Sequence, residues 1–207
     1  MKNEIKAVIT GDIVNSRKEI TKTWMPLLKE TFNEFGNQTT QWEIFRGDMF
    51  QLKVEAKKAL YSAIYIKASL KMLNNMDVRM GIGIGTETYN SDRITESNGT
   101  AYINSGDAFE KLKRKKISLV TPWSNFNSNW NLYLKLASLT MDNWTAKSAE
   151  AFLYAIKNPN LNQKELSQIL GVTQSTVSEN LNRSGYYQLS DMITWFEHCL
   201  PLQNEEI

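Results

Sequence analysis

A glycine-centred turn between two short helical patterns constrains the C-terminal part of this 207-residue chain most tightly. Residues 161–170 have helical spacing, and Gly171 is the residue type that readily adopts the left-handed conformation that ends a helix. Thr173 then suits the N-cap of a second helix. We therefore predict a helix-turn-helix, with an ordinary structural helical hairpin as the alternative.

The apolar side chains of this motif are expected to face inward, and Ser167 is small enough to let the two helices cross closely. The predicted apolar side comprises Leu166, Ile169, Leu170, Val172, Val177 and Leu181. Short polar groups on the outer face of a second helix are suited to the base edges and phosphates of DNA. The predicted DNA-contacting residues are Thr173, Gln174, Ser175, Ser178, Glu179, Asn182 and Arg183.

Composition excludes several classes of protein. The single cysteine, Cys199, cannot form an internal disulfide framework and fits a reducing compartment, and with only His198 beside it a structural zinc site is not expected. No segment has the apolar length of a membrane helix, so we expect a cytoplasmic protein with no membrane partner. Residues 147–197 carry four basic and five acidic side chains, which predicts weak or dimer-dependent DNA binding.

The N-terminal part alternates strand and helix patterns. Strands are predicted over residues 5–13, 42–44, 49–52, 78–84 and 117–120, and helices over 24–35, 57–73 and 101–116. This β-α-β-β-α-β order, followed by α-β, predicts an α+β fold with a ferredoxin-like, split βαβ sheet. Further helices are predicted over 125–142, 148–156 and 189–200. We predict a palm domain over 1–123, a helical linker over 124–147 and a smaller all-α helix-turn-helix domain over 148–207.

Two aspartates stand where predicted strands end. Asp12 closes the first strand, and Asp48 lies in the Gly47-Asp48 pair that predicts a tight hairpin turn. In a split βαβ sheet the two carboxylates converge, and Mg²⁺ typically combines one or two carboxylates with substrate phosphates. The amides of residues 13–17 are then placed to cradle phosphate oxygens. The alternative is that both aspartates are ordinary turn residues, Arg79 a sheet-surface residue and the basic run 111–116 a solvated helix end.

Four segments resemble the class III nucleotidyl cyclases. The segment ITGDIVNSR (9–17) looks like their first metal-binding strand and phosphate loop, and FRGDMF (45–50) looks like their hairpin with the second metal aspartate. VRMGIGIG (78–85) looks like the following strand, and AYIN (101–104) like the segment with the transition-state asparagine. The resemblance covers roughly residues 4–120 and implies Mg²⁺ with a nucleoside triphosphate. It implies metal ligation by Asp12, Asp48 and Ile13, and nucleotide binding by Val14, Asn15, Ser16, Arg17, Arg79 and Asn104.

The departures from the cyclase pattern fall on the catalytic half of the site. Position 108, four residues after the asparagine, is Ala where active cyclases have the arginine that stabilises the transition state. The base-selecting position is Ile44, with Glu43 one place off. We therefore assign no catalytic residue.

We expect a DNA-binding transcriptional regulator with a nucleotide- or metal-sensing domain. The alternatives are an active Mg²⁺-dependent nucleotidyl cyclase or nucleotidyltransferase, and a palm domain used only for dimerisation. A cyclase-like domain followed by a helix-turn-helix also resembles the bacterial SatD-like proteins. Cyclase-like domains work as pairs and helix-turn-helix proteins bind paired half-sites, so a homodimer is expected.

Overall fold

The computed structural model describes residues 5–113 and 115–200. Within them, a five-stranded mixed sheet is combined with eight α-helices and two short 3-10 turns, which confirms the α+β class. None of these helices has both the length and the apolar character that crossing a membrane requires. Residues 1–4 and 201–207 of the predicted domains, and position 114 of the basic run, lie outside the described residues.

The N-terminal strand lies at the centre of the sheet. The strands are β1 (Ile5–Val14), β2 (Trp42–Phe45), β3 (Met49–Glu55), β4 (Asp77–Thr86) and β5 (Ile117–Val120), in the spatial order β2-β3-β1-β4-β5. Neighbouring strands are antiparallel except β4 and β5, which are parallel. A strand covered on both faces needs a nearly continuous apolar sequence, and β1 has one. Asp12 lies opposite Met49 in β3 and opposite Arg79 in β4.

The helices cover both faces of the sheet and then continue as a helical layer. They are α1 (Thr21–Asn33), α2 (Ala59–Lys71), α3 (Thr100–Glu110), α4 (Ser124–Met141), α5 (Ala146–Lys157), α6 (Gln163–Leu170), α7 (Gln174–Ser184) and α8 (Tyr186–Cys199). Successive strand residues point to opposite faces. Ala7 and Ile9 therefore join the large buried cluster with α1 and α2, whereas Val8 joins Ala101 and Tyr102 of α3.

Glycines in β4 allow α3 to lie directly on the sheet. A Cβ atom at Gly83 would come within 2.1 Å of the backbone nitrogen of Ser105 and 2.3 Å of the carbonyl oxygen of Ala101. No real side chain tolerates such distances, so α3 can approach only because this face of β4 carries no side chains at alternate positions. The alternating glycines 81, 83 and 85 of β4 are therefore explained by close packing against α3.

Two of the C-terminal helices, α5 and α8, contribute to the core of the sheet. Phe152 of α5 and Phe196 of α8 belong to the same buried cluster as Leu60 and Ile64 of α2. A second, smaller cluster joins the other side of α5 to α6 and α7 and comprises Ala151, Ala155, Leu166, Val177 and Leu181. Helix α5 therefore connects the two layers. The domain boundaries given above stay a prediction.

Two local predictions are wrong. The hairpin turn is not the Gly47-Asp48 pair: Phe45 lies opposite Met49, so the loop has three residues, and Arg46 and Gly47 have positive φ values of 52° and 91°. Helix α3 ends at Glu110 and not at residue 116. Lys113 has a φ of 46°, which a continuing α-helix does not allow.

Candidate functional sites

Local capping explains where α6 and α7 begin and end. The side chain of Asn162 accepts hydrogen bonds from the backbone N–H groups of Lys164 and Glu165, at 2.9 and 3.1 Å, and the Glu165 carboxylate accepts from the Asn162 N–H at 2.7 Å. This reciprocal arrangement is a capping box. Gly171 has a φ of 63° and ends α6, and the Thr173 hydroxyl caps α7 by accepting from the backbone N–H of Thr176 at 3.2 Å.

The inner side of α7 is held by the small cluster beneath α5. Val177 and Leu181 are buried, and Ser167 of α6 is buried at the crossing, as expected. The prediction that Ile169 belongs to this inner side is wrong, because its side chain is 53% exposed. Ile169 instead lines a surface groove between α1, α2 and α5. Residues 163–170 do form a helix, as the spacing predicts, but Ile169 in its last turn does not face α7.

The outer side of α7 carries the residues predicted to contact DNA. Six of the seven are exposed, and Ser178 is half-buried; the exposed six are Thr173, Gln174, Ser175, Glu179, Asn182 and Arg183. The hydroxyls of Thr173 and Ser175 lie 2.9 Å apart at the start of the helix. Arg183 lies 3.9 Å from Glu179, an exposed i,i+4 pair that partly offsets the one basic side chain of this face. The face is therefore polar but close to neutral.

The aspartate at the end of β1 is bound by an arginine from the neighbouring strand. Arg79 donates from Nε to Oδ1 of Asp12 at 2.8 Å and from Nη2 to Oδ2 of the same carboxylate. Hydrogen bonding to Asp12 is the main reason that the pKa of Arg79 lies above its ordinary value, and the charge of Asp48 adds to the effect. Asp12, Asp48 and Arg79 therefore occupy one corner of the sheet.

Asp48 is tied to the segment that follows β1. Its carbonyl accepts from the N–H of Ile13 at 3.2 Å, and its carboxylate oxygen Oδ2 accepts from the hydroxyl of Ser16 at 2.5 Å. Within the part of the chain that the structure describes, no group of three or more acidic, histidine or cysteine side chains comes together that could hold a metal. The acidic side chains at this corner are Asp12 and Asp48.

The remaining residues of the predicted nucleotide site point in different directions. Asn15 has a φ of 66°, and its side-chain amide donates to the carbonyl of Asn75 at 2.6 Å, away from Asp48. Val14 lies opposite Asp77 in the sheet, and Arg17 is exposed. The segment 14–17 is therefore divided between two environments.

Asn104 lies at a distance from the aspartates. Its side-chain amide donates to the carbonyl of Ile84 at 2.8 Å. Ile84 is five residues along β4 from Arg79, which corresponds to roughly 16 Å of strand. Ala108, on the same helix as Asn104, is fully buried.

A buried ion network near the start of β4 was not predicted from the sequence. Lys67 of α2 is fully buried and its Nζ lies 2.8 Å from Oδ1 of Asp77 and 2.7 Å from Oδ1 of Asp142. Lys116 lies 2.6 Å from Oδ2 of Asp77, and Lys71 donates to the carbonyl of Asp142 at 2.8 Å. We call these five residues the lysine network. Its one sequence signal was Lys67 itself, the one charged residue in the otherwise uncharged run 59–70.

Comparison with curated proteins gives no match. The model of the SatD family matches residues 5–189. This range includes the whole sheet, the corner of Asp12 and Asp48, the lysine network, α6 and α7. The chain belongs to the SatD family.

Proposed function

We propose that this protein is a DNA-binding transcriptional regulator in which α6 and α7 form a helix-turn-helix and α7 is the recognition helix. One observation carries the proposal: α7 buries Val177 and Leu181 on one side and exposes a continuous row of short polar side chains on the other. Its N-terminal end, where Gln174 and Ser175 lie, is the part of a recognition helix that contacts base edges. A surface helix of an ordinary hairpin is also polar on its outer side. The feature that favours recognition is therefore the set of short hydroxyl and amide side chains at the N-terminal end of α7, which can bond base edges and phosphates.

The charge of the face sets the kind of binding. Arg183 has Glu179 as a neighbour, so few phosphates are neutralised by one subunit. Phosphate neutralisation dominates nonspecific affinity for DNA. The rest of the binding free energy must therefore come from contacts to bases and from a second subunit. Gln174 is the residue best suited to sequence discrimination, since a glutamine pairs bidentately with adenine and such a pair is worth about 1–3 kcal/mol.

The test is a selection of bound fragments from a random DNA pool, followed by titration of the recovered site at low and moderate salt. We expect Gln174→Ala to reduce the preference for the selected site while the far-ultraviolet spectrum stays unchanged. Gln38→Ala, an exposed glutamine in the loop before β2, is the matched control and should bind as the wild type does. Absence of any salt-sensitive DNA binding, with or without nucleotide, would contradict the proposal.

A homodimer through α4 and α8 belongs to the same proposal. Leu132, Leu136 and Leu139 follow the 4-3 spacing of a helix-pairing seam along α4, and all three are more than half exposed. Tyr133 and Trp195 extend this apolar surface across to α8. We call these five residues the α4–α8 surface. We assign it to a second copy of the chain.

Area and charge both support a second copy as the occupant. Five large side chains that are 40–70% exposed amount to roughly 500 Å² per subunit, and a standard interface buries about 800 Å² per partner. A rim of neighbouring residues would supply the rest. Arg183 and Asp191 lie in the same groove. The groove therefore carries one basic and one acidic side chain, so two copies related by a two-fold axis bring no net charge together there.

The oligomeric state is measured by light scattering at tens of micromolar. We expect a dimer for the wild type and a monomer for Leu136→Lys, because a charge at the centre of an apolar interface must be desolvated. Ile103→Lys changes an equally exposed apolar residue on α3 and should leave the dimer intact. A monomeric wild type, or dimers in both variants, would contradict this assignment.

The sheet is proposed as a cyclase-like, split βαβ domain that senses Mg²⁺ with a nucleoside triphosphate. The antiparallel order β2-β3-β1-β4 supports this, since it is the order of a split βαβ sheet. The donors present fit Mg²⁺ in kind: Asp12, Asp48 and the carbonyl of Ile13 would hold it, and the ion would neutralise phosphate charge. Arg79 now neutralises Asp12, so it competes with the metal and would turn to phosphate oxygens when the metal binds.

Turnover to a cyclic nucleotide is expected to be absent or very slow. The position of the transition-state arginine is Ala108, which is buried, and Asn104 is bonded to the backbone of β4 far from Asp12. These observations favour sensing over catalysis. A purified protein that produces cyclic nucleotide at enzymatic rates would support the alternative of a nucleotidyl cyclase.

A further inference from the structure

A polar cavity of about 420 Å³ lies where the end of β1, the loop after α2 and the start of α5 meet. It is separate from the corner of Asp12 and Asp48, neither of which lines it. Its polar lining includes Asn15, Lys71, Asn75, Asp77, Lys116 and Thr145, and Trp144 is the largest side chain of its wall. Its volume lies within the range of roughly 300–1,000 Å³ that small-molecule sites have.

The charges around this cavity do not balance. The lysine network contains three ammonium groups and two carboxylates, and Lys67 is fully buried behind the cavity. Lys71 and Lys116 line the cavity itself, and Lys71 lies 3.6 Å from Oδ2 of Asp77. Each lysine lies within 4 Å of a carboxylate, but three lysines share two aspartates, so the network carries a net charge of +1. Burying an excess charge is costly unless something pairs with it.

The pKa of Lys71 lies below its ordinary value. Burial lowers its pKa, and the charges of Lys67 and Lys116 lower it further, while Asp77 and Asp142 oppose the shift without cancelling it. These four residues are the charged groups that face Lys71 from α2, β4, the end of α4 and the segment before β5. A bound anion would restore the balance.

The start of α5 adds a second source of positive potential. Thr145 and Ala146, the N-cap and first residue of this twelve-residue helix, line the cavity. The Thr145 hydroxyl accepts from the N–H of Ser148 at 3.2 Å, so the helix start is fixed by a capping box. The positive end of a helix macrodipole favours anions, and phosphates in particular.

We propose that this cavity is a binding site for a small phosphate-bearing anion, held by Lys71 and Lys116 at the N-terminus of α5. The ligand class follows from charge and shape: a compact group with several acceptor oxygens satisfies two ammonium groups and helix amides at once. The site does not depend on DNA binding or on a metal at Asp12 and Asp48.

The cavity is connected to the end of α7. Trp144 lines it, and the indole Nε1 donates to the carbonyl of Ser184, the last residue of α7, at 2.9 Å. The next residue, Gly185, has a φ of 66° and starts α8. A ligand against Trp144 therefore contacts the residue that anchors the recognition helix proposed above.

The experiment titrates the full chain with inorganic phosphate and, separately, with a nucleoside 5′-monophosphate, at constant ionic strength against chloride. Calorimetry gives the Kd, and amide chemical shifts of the wild type locate the ligand. We expect Lys116→Met and Lys71→Met each to raise the Kd about tenfold or more, the effect of losing one hydrogen bond to a charged group. Lys115→Met removes the adjacent, exposed lysine and should change the Kd less than about twofold.

Each outcome decides the proposal. Saturable binding with shifts at residues 74–76 and 145–146, and with the loss in the two cavity variants only, supports it. Tighter binding of the monophosphate than of phosphate identifies a nucleotide-sized ligand, and equal binding identifies the phosphate group alone. Absence of saturable binding to the wild type overturns the proposal, as do shifts elsewhere. The wild-type shifts decide even if a cavity variant fails to fold.

Discussion

Two ion clusters at the same end of the sheet differ in charge and burial. At the end of β1, Asp12 and Asp48 face one cation, Arg79, so that corner has an excess of negative charge and is partly open to solvent. Two residues further along the paired strands, Asp77 belongs to the lysine network, which has an excess of positive charge and contains the fully buried Lys67.

The difference indicates what each cluster is suited to bind. A negative, partly exposed corner favours a divalent cation, whereas a cavity with net positive charge at the start of a helix favours an anion. A nucleotide site usually needs both properties within one ligand's reach. Here Asn15 connects them, because it follows the first cluster in sequence while its side chain contacts Asn75 beside the second. Substitutions that change one cluster at a time show whether the two clusters act separately.

The largest expected effect is that of removing the central carboxylate of the lysine network. Asp77→Asn removes one of the two carboxylates that pair with the fully buried Lys67, and breaking a buried pair costs about 3–5 kcal/mol. Asp12→Asn, in the partly exposed corner, should cost only about 1 kcal/mol or less. Urea unfolding of the two variants gives both values. Equal losses would remove the contrast in burial on which the comparison rests.

Each cluster should bind its own ligand, and each ligand should raise the thermal stability only of proteins in which its cluster is intact. A ligand at 100 times its Kd stabilises a protein by about 2.7 kcal/mol, or roughly 5–10 °C in Tm for a chain of this size. Mg²⁺ with a nucleoside triphosphate should protect the wild type but not Asp12→Asn, and phosphate alone should protect Asp12→Asn but not Lys116→Met. Loss of both effects in either variant would mean that the clusters form one site.

The sequence indicated the corner of Asp12 and Asp48 and missed the lysine network for a physical reason. Asp12 and Asp48 stand in short local patterns next to turns, and turn chemistry is readable from a few neighbouring residues. Lys67, Lys116 and Asp142 lie in segments that only the fold brings together. A lysine is almost never fully buried unless it is paired, and the carboxylates that pair with Lys67 come from β4 and the end of α4, so its burial is a tertiary property.

The fold itself was more predictable than the site. The element order and the turn at Gly171 followed from hydrophobic spacing and from residue types with special backbone freedom. The shared core of α2, α5 and α8 could not be predicted in this way. An apolar stripe shows that one side of a helix is buried, but it does not show which element packs against that side. Asn104 shows the same limit. The segment around it resembles the cyclase segment with the transition-state asparagine, but its hydrogen bond to Ile84 depends on how α3 crosses the sheet.

Acid should weaken the wild type more steeply than Asp77→Asn. Burial alone would raise the pKa of Asp77, but the charge of Lys67 and hydrogen bonds from Lys116, Lys67 and the Val78 amide outweigh it and lower the pKa. A lowered carboxyl pKa contributes stability that is present above the unfolded value, near 4, and lost as the pH falls through the folded value. Below pH ~4 the wild-type slope should exceed that of the variant by up to ~1.4 kcal/mol per pH unit. Parallel slopes would show that Asp77 is not held ionised.

The smallest expected effect concerns Arg79 as a competitor of the metal. Arg79→Met leaves Asp12 and Asp48 without their cation, and since the pair is partly exposed the loss of stability should be about 1 kcal/mol or less. Millimolar Mg²⁺ without nucleotide should then raise the Tm of the variant more than that of the wild type, because the two carboxylates repel each other until a cation lies between them. Arg93→Met removes the arginine that pairs with Glu43, away from this corner, and its response to Mg²⁺ should match that of the wild type. If Mg²⁺ acts equally on all three proteins, Arg79 does not occupy the place of a cation, and the exposed corner is a structural ion pair rather than a metal site.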